Sequence, residues 1–218
     1  MRESFHGELT KLGEQLTHMC RLAAESMRQA SKALLTADLT LAERVLDADA
    51  DLDQARADCE TQAQALLALQ APVAGDLRTI LAAVYCAEKI ERMGDLAAHV
   101  ADTARFTHPA HAVPAELEPL FTDMSTIAAG MADRLAERIT SEAAGGFAEL
   151  DETDQAVDTL HARVLGLITG RQWQHGVQPA TSLALLARFY ERFADQAVSV
   201  AKRLEFAETG ELPPKPGA

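Results

Sequence analysis

Apolar residues recur at intervals of three and four along most of this chain, the spacing that places side chains on one face of an α-helix. The first such run covers residues 8–36, which include one glycine and no proline. Its apolar positions are Leu9, Leu12, Leu16, Met19, Ala23, Met27, Ala30 and Leu34. The pattern predicts one long amphipathic helix in this part of the chain.

Helix-breaking residues divide the whole chain into six segments of this kind. The clearest breaks are QAPVAGD at 70–76 and a stretch with three prolines in thirteen residues at 107–119. The predicted helices cover residues 8–36, 41–69, 77–105, 117–140, 147–168 and 181–207. Because Ala and Leu dominate and aromatic residues are only 5% of the chain, we expect an all-α fold without a sheet.

The six helices fall into two groups of three, which predict the domain organisation. A first three-helix bundle is expected over residues 1–107, a linker over 108–115, and a second bundle over 116–208. The proline-rich residues 209–218 are expected to form a disordered tail. Short turns make consecutive helices antiparallel neighbours, but the sequence leaves open whether the bundles lie end to end or side by side.

The two groups are related by an internal duplication. A shift of 100 residues superposes Ala87, Glu91, Arg92, Asp95, Ala97, Val100, Ala101 and Phe106 on identical residues of the second half. A shift of 105 residues superposes Asp49 and Asp53 on Asp154 and Asp158. The fold class we predict is therefore two tandem three-helix bundles that arose from one repeated unit.

Carboxylates spaced four residues apart occur at equivalent places in both repeats. The four pairs are Asp49 and Asp53, Glu91 and Asp95, Asp154 and Asp158, and Glu191 and Asp195. This spacing puts both acids of a pair on one helix face, where like charges cost roughly 0.2–0.5 kcal/mol. Because the arrangement is repeated, we expect something to compensate the charge.

Two kinds of compensation are open. The adjacent Arg92 and Arg192 could neutralise carboxylates on a neighbouring helix, which would be a purely structural role. Alternatively, since the second and third helices of a bundle are antiparallel neighbours, an acid pair from one could meet a pair from the other. Four facing carboxylates would make an oxygen-rich site for a divalent metal such as Mg²⁺, Mn²⁺ or Fe.

The charge balance limits the partners. The formal net charge is −13 and the isoelectric point is about 4.9, so we expect no binding to nucleic acid. No run approaches the roughly 18–20 apolar residues of a membrane span, and no secretory signal is visible. The three cysteines lack CxxC spacing and are typical of reduced thiols, so we expect a cytoplasmic protein without membrane insertion.

A metal-dependent bundle enzyme is the alternative to a non-enzymatic protein. Di-iron and di-manganese bundles combine carboxylates with a Glu-x-x-His motif, which does not accompany the acid pairs here. His99 and His161 follow acids of the pairs, but neither histidine recurs in the other half, where Ser199 is the counterpart of His99. We therefore favour a protein that is not an enzyme, with no catalytic residues.

Longer segments of the sequence resemble the PhoU family. LLALQAPVAGDLRTIL (66–81) and IERMGDLAAHVA (90–101) are similar to its signature, and LARFYERFADQAVSVAKRL (186–204) is similar to the second-half counterpart. The acidic segments VLDADADLD (45–53) and LDETDQAVD (150–158) resemble the family's second helix in each half. The resemblance covers nearly the whole chain except the last ten or so residues.

The resemblance implies a cytoplasmic negative regulator of phosphate uptake and of the phosphate-starvation response. Such proteins couple a phosphate ABC transporter, through its ATPase subunit, to a sensor histidine kinase. Some bind metal clusters through their acidic motifs, a role that falls here on Asp49, Asp53, Glu91, Asp95, Asp154, Asp158, Glu191 and Asp195. The partner-binding residues would be Glu91, Arg92, Asp95, Glu191, Arg192 and Asp195.

The chain departs from the family pattern beside its first motif. Lys89 stands where a further acid is often found, and Glu88 is the candidate to replace it. Basic residues are scattered along the sequence, so no Arg/Lys cluster for phosphate itself is expected. Long amphipathic helices also favour a homodimer, and a helical homodimer with only a scaffold role is a third interpretation.

Overall fold

A computed structural model of this protein describes residues 2–141 and 146–212, with side chains from Phe5 onward. Its helices are α1 (Arg2–Thr36), α2 (Leu39–Gln70), α3 (Ala74–Thr107), α4 (Glu118–Ser141), α5 (Phe147–Ile168) and α6 (Val177–Thr209). These residues contain no strand, so the all-α prediction is confirmed. Most of the predicted tail (213–218) and residues 142–145 of the turn before α5 lie outside the described residues. No helix described here is long and apolar enough to cross a membrane.

α1 buries the face that its sequence pattern predicts. Every predicted apolar position from Leu12 to Leu34 is buried in the core. The helix ends where Ala37 adopts a positive φ of 50°, and Asp38 begins the next helix. The Asp38 carboxylate accepts a hydrogen bond of 2.9 Å from the Leu41 amide, which would otherwise lack a partner at the start of α2.

α6 begins at Val177, four residues before its predicted start at residue 181. The prediction placed Pro179 in a loop, but the structure places it in the first turn of the helix. Amide groups in the first turn have no intrahelical acceptor, so a proline there removes no hydrogen bond. The corrected start adds one turn to the helix that carries Glu191 and Asp195.

The two halves lie side by side around a shared core. α2 packs on α1 and α3, and α5 packs on α4 and α6, so α2 and α5 are the outer helices. The halves meet where α3 contacts α6 and where α1 contacts α4. Buried apolar residues from both halves form one continuous cluster. This packing resolves the arrangement that the sequence left open.

α3 and α6 run antiparallel across the contact between the halves. The Cys86 thiol of α3 donates to the Val200 carbonyl of α6 at 4.0 Å. Further along α3, the ring of His99 lies 5.1 Å from the ring of Phe189, which is on an earlier part of α6. Because α3 and α6 are duplicated counterparts, this antiparallel contact relates the two halves by a pseudo-twofold arrangement.

Candidate functional site

The acid pairs come together as two clusters, one on each outer pair of helices. In the first cluster, Asp49 and Asp53 of α2 face Glu91 and Asp95 of α3. The carboxyl groups of Asp53 and Glu91 approach each other across the interface, and Asp49 is close to Asp95. The prediction that pairs from adjacent helices face each other is confirmed for these residues.

A glycine brings α2 and α3 close together at the first cluster. A Cβ atom at Gly94 would clash with Cδ2 of Leu52, which is only 2% exposed, and would lie 3.5 Å from Oδ1 of Asp49. The Asp49 carboxylate therefore lies against the α3 backbone beside Asp95. In the second half the counterpart of Gly94 is Ala194, so this close approach belongs to the first cluster.

The charged forms of the first-cluster acids are disfavoured. Burial, followed by the negative charges of Asp95 and Asp53, raises the pKa of Asp49 above its usual range. Burial and Asp95 likewise raise the pKa of Glu91, although the guanidinium of Arg56 acts in the opposite direction. Burial first and repulsion second disfavour the charged carboxylates, and a bound cation would favour them.

The second cluster combines Asp154 and Asp158 of α5 with Glu191 and Asp195 of α6. Burial is the largest cause that raises the pKa of Asp154 to about 7, and the charges of Asp158, Asp195 and Glu191 add to it. Burial also raises the pKa of Glu191 and of Asp195. Asp154 therefore holds a proton for part of the time near neutral pH.

The second cluster contains two buried carboxylate oxygens without a hydrogen-bond partner among the described residues, Oδ1 of Asp154 and Oε2 of Glu191. Glu191 is 8% exposed and is the most buried of the eight acids. Buried oxygens of this kind are costly unless a proton, a cation or a donor from another molecule satisfies them. The cluster is thus able to accept a cation or a donor.

The remaining acids differ in their exposure. Asp53, Asp158 and Asp195 are exposed, whereas Asp49, Glu91, Asp95 and Asp154 are partly buried. Each cluster therefore has at least one carboxylate that an approaching molecule can reach, Asp53 in the first cluster and Asp158 or Asp195 in the second. Glu88 is exposed and is not among the charges that raise the pKa values of the cluster acids. The structure gives no support to Glu88 as a replacement acid.

Among the residues that the structure describes, Arg92 and Arg192 do not form the ion pairs with a neighbouring helix that a purely structural role would require. Arg92 pairs with Asp95 on its own helix, and Arg192 forms no ion pair within residues 2–141 and 146–212. The interpretation that both neutralise carboxylates on a neighbouring helix is therefore wrong. Arg188, which the sequence reasoning missed, contacts Glu191 one turn away. Its position three residues before Glu191 was a usable signal, because such residues are neighbours on a helix.

The oxygen ligands suit a hard cation, but the side chains are not arranged as a complete metal-binding site. The carboxylate oxygens of both clusters suit Mg²⁺ or Mn²⁺. An imidazole also lies close to each cluster, since His99 interacts with Asp49 and Asp158 interacts with His161. In the described part of the chain, no group of three or more His, Cys, Asp or Glu side chains is arranged to hold a metal ion. Metal binding by these acids stays a prediction. Asp154 and Glu191, with their unpartnered oxygens, would be the ligands in the second cluster.

These features define a class of protein: an all-helical duplicated bundle with a carboxylate cluster on each outer helix pair. The family model described as the PhoU domain matches residues 16–104 and again residues 121–204. The chain belongs to the PhoU family. The resemblance inferred from the sequence and the duplication are both confirmed.

The chain is similar to curated proteins over nearly its full length. It is 45% identical over 213 residues to "Phosphate-specific transport system accessory protein PhoU homolog 2" of Mycobacterium tuberculosis, covering 98% of this chain and 100% of that protein. It is 44% identical to homolog 1 of Mycobacterium leprae, covering 98% of this chain and 96% of that protein. At these identities the similarity extends beyond the fold.

Solved structures have the same fold. The crystal structure of the phosphate transport system regulatory protein PhoU from Streptococcus pneumoniae superposes with a TM-score of 0.84 at 24% identity, covering 97% of this chain and 100% of the other. PhoU from Pseudomonas aeruginosa gives a TM-score of 0.82 at 21% identity, covering 95% and 100%. The side-by-side arrangement of six helices therefore occurs in experimentally determined relatives.

Proposed function

We propose that this protein is an accessory protein of a phosphate-specific transport system. In this role it is a cytoplasmic negative regulator of phosphate uptake and of the phosphate-starvation response. It would couple the ATPase subunit of a phosphate ABC transporter to a sensor histidine kinase, and it would do so without catalysing a reaction. The observation that carries the proposal is the 45% identity, over the full length, to a protein named as such an accessory.

The two acidic clusters are the proposed contact surfaces. Each lies between an outer helix and α3 or α6, and each presents partly exposed carboxylates. A basic patch on a partner, or a divalent cation, would favour the charged forms of Asp49 and Asp154, which burial and neighbouring carboxylates disfavour. Arg92 and Arg192, exposed beside the clusters, would meet acidic groups of the same partner. A homodimer would present four clusters instead of two.

The test combines partner capture with a reporter. The tagged protein is purified from phosphate-replete cells, and the proteins that accompany it are identified by mass spectrometry. A variant with Glu91, Asp95, Glu191 and Asp195 replaced by Ala is expected to lose the transporter ATPase and the kinase. A phosphate-responsive reporter is expected to become active in phosphate-rich medium.

A matched control carries the same loss of charge elsewhere. Glu43, Asp123, Glu137 and Glu152 are exposed acids outside the clusters, and their replacement by Ala should leave capture and repression unchanged. If wild-type protein captures neither partner, the adaptor role is wrong. If the cluster variant behaves as wild type while both partners are captured, the acids are not the contact surface.

A further inference from the structure

A second kind of polar site lies away from both acidic clusters, in a groove between α3 and α6. The groove encloses a cavity of about 220 Å³ that is open to solvent on one side. Its walls include Tyr85, Cys86 and Lys89 of α3 and Ser199, Lys202, Arg203 and Phe206 of α6. The site exists only because the two halves pack side by side, since each half supplies one wall.

Three cationic residues, Lys89, Lys202 and Arg203, line this groove although the chain carries a net charge of −13. Within the part of the chain that the structure describes, none of Lys89, Lys202 and Arg203 has a carboxylate within 4.0 Å. The Arg203 guanidinium instead lies 4.5 Å from the Tyr85 ring centroid, and the Lys202 ammonium is 5.9 Å from the Phe147 ring. Contact with a ring leaves the charge unneutralised and the remaining N–H groups free for an anion.

The internal duplication provides a comparison within the same molecule. The pseudo-twofold relation between α3 and α6 generates a second contact region, marked by the neighbouring rings of His99 and Phe189. The positions equivalent to Lys89, Lys202 and Arg203 there are Phe189, Asp102 and Thr103. The duplicated scaffold therefore does not require cations at these places, and only one of the two equivalent grooves is basic.

We propose that this groove binds the phosphoryl group of a small molecule, with Lys89, Lys202 and Arg203 around its oxygens. An arginine fork together with two ammonium groups matches a dianionic phosphoryl group better than a single carboxylate. The volume lies below the roughly 300–1,000 Å³ of pockets for drug-sized ligands, so the ligand is small. Tyr85 and Phe206 offer an apolar wall to any organic part of it.

The groove corrects an expectation from the sequence. Basic residues appeared scattered, because Lys89 is more than a hundred residues from Lys202 and Arg203 along the chain. The antiparallel packing of α3 and α6 brings them to one place. Lys89 lines this groove, although in the sequence it stands beside the acidic motif, where a further acid is often found.

The proposal does not rest on the function proposed above, and binding can be measured without any partner protein. Isothermal titration calorimetry on the full chain, treated with chelator so that no cation bridges phosphate to the acids, compares inorganic phosphate, AMP and adenosine. We expect phosphate and AMP to bind and adenosine not to bind. Equal affinity for phosphate and AMP would show that the groove recognises the phosphoryl group alone. Tighter binding of AMP that is lost in Tyr85→Ala would show that the apolar wall contacts the nucleoside.

Variants locate the binding. Replacement of Lys89, Lys202 and Arg203 by Gln should weaken phosphate or AMP binding by about tenfold or more per cation. The matched control replaces Lys32, Arg44 and Arg163, exposed cations outside the groove, by Gln and should bind as wild type. Thermal melting of each variant shows that it is folded. The proposal is overturned by any of three results: no binding of phosphate or AMP, adenosine binding as tightly as AMP, or equal affinity in the groove and control variants.

Discussion

The hydroxyl groups of Ser31 and Tyr190 lie 2.8 Å apart in the buried core, joining α1 of the first half to α6 of the second. Ser31 also donates to the Met27 carbonyl one turn earlier, at 2.7 Å. The serine proton is therefore used within α1, and the Tyr190 hydroxyl is left to donate to the serine oxygen. Both side chains are buried, so the Tyr190 hydroxyl depends on the Ser31 oxygen as its acceptor, whereas Ser31 also has the Met27 carbonyl.

This relationship predicts unequal effects of removing the two hydroxyls. Ser31→Ala leaves the buried Tyr190 donor without an acceptor, which should cost about 1–3 kcal/mol. Tyr190→Phe leaves Ser31 bonded to Met27 and should cost about 1 kcal/mol or less. Chemical denaturation of both variants and of the double variant measures the difference. A double variant that is no more stable than Ser31→Ala would contradict the assignment of donor and acceptor.

Two glycines within helices should respond in opposite directions to the same change. Gly94→Ala forces a methyl group against the buried Leu52, and overpacking of this kind destabilises a protein by about 1–3 kcal/mol. The higher helix propensity of alanine offsets about 1 kcal/mol of this cost. Gly130→Ala meets no atom within 4 Å and should stabilise α4 by about 0.4–1 kcal/mol. The free energies of unfolding of the two variants are compared by denaturation.

The outcome for Gly94 also reports on the site. If α2 moves away from α3, the pKa of Asp49 should fall towards its usual range, because both its burial and its distance from Asp95 change. The carboxyl titration followed by NMR would show this. Stabilisation by Gly94→Ala comparable to that by Gly130→Ala would mean that Leu52 moves aside without cost.

Much of the fold could be predicted because its signals are local. Apolar spacing identifies the helices, and the proline-rich stretch at 107–119 separates the halves. The start of α6 was missed for a local reason as well, since Pro179 is compatible with a first helical turn and does not by itself end a helix. The side-by-side packing was not predictable, because it depends on apolar faces of α3 and α6 that could equally have been covered in other ways.

The same distinction between local and tertiary signals applies to the candidate site. Spacing within a helix identified Asp49, Asp95, Asp154 and the other acids, and short turns implied that their helices are neighbours. The burial that raises the pKa of Asp154 to about 7 is a tertiary effect without a sequence signal. The basic groove at Lys89 and Arg203 is tertiary too, because its walls come from different halves.

The raised pKa of Asp154 predicts how the stability depends on pH. An aspartate in an unfolded chain titrates near 3.9, against about 7 for Asp154 in the fold. Between these values the folded chain binds more protons, so this residue's contribution to stability falls as the pH rises and levels off above pH 7. The stability of Asp154→Asn relative to wild type should therefore increase as the pH rises. At pH 8, after allowing for solvent screening, the increase should be about 1 kcal/mol, or roughly 2–4 °C in Tm.

Melting curves in chelator-containing buffer at pH 5 and pH 8 measure this difference. The exposed Asp123, replaced by Asn, controls for the loss of one carboxylate outside the cluster. A Tm difference between Asp154→Asn and wild type that is the same at both pH values would show that the carboxyl does not titrate in this range. A difference that decreases towards pH 8 would reverse the sign and contradict the effect of burial.

A divalent cation should stabilise the fold through the second cluster. If Mn²⁺ binds Asp154 and Glu191, it satisfies their unpartnered oxygens and must displace the proton that Asp154 holds near neutral pH. The rise in Tm on adding Mn²⁺ to chelator-treated protein should then be larger at pH 8 than at pH 6. In the variant with Asp154→Asn and Glu191→Gln the rise should be lost, while Glu43→Gln with Glu152→Gln, a control pair on exposed positions, keeps it. An unchanged Tm of the wild type at both pH values would show that Mn²⁺ does not bind the cluster, and basic partner surfaces would then be the remaining candidates to neutralise these carboxylates. An equal rise in all three proteins would place the metal elsewhere on the molecule.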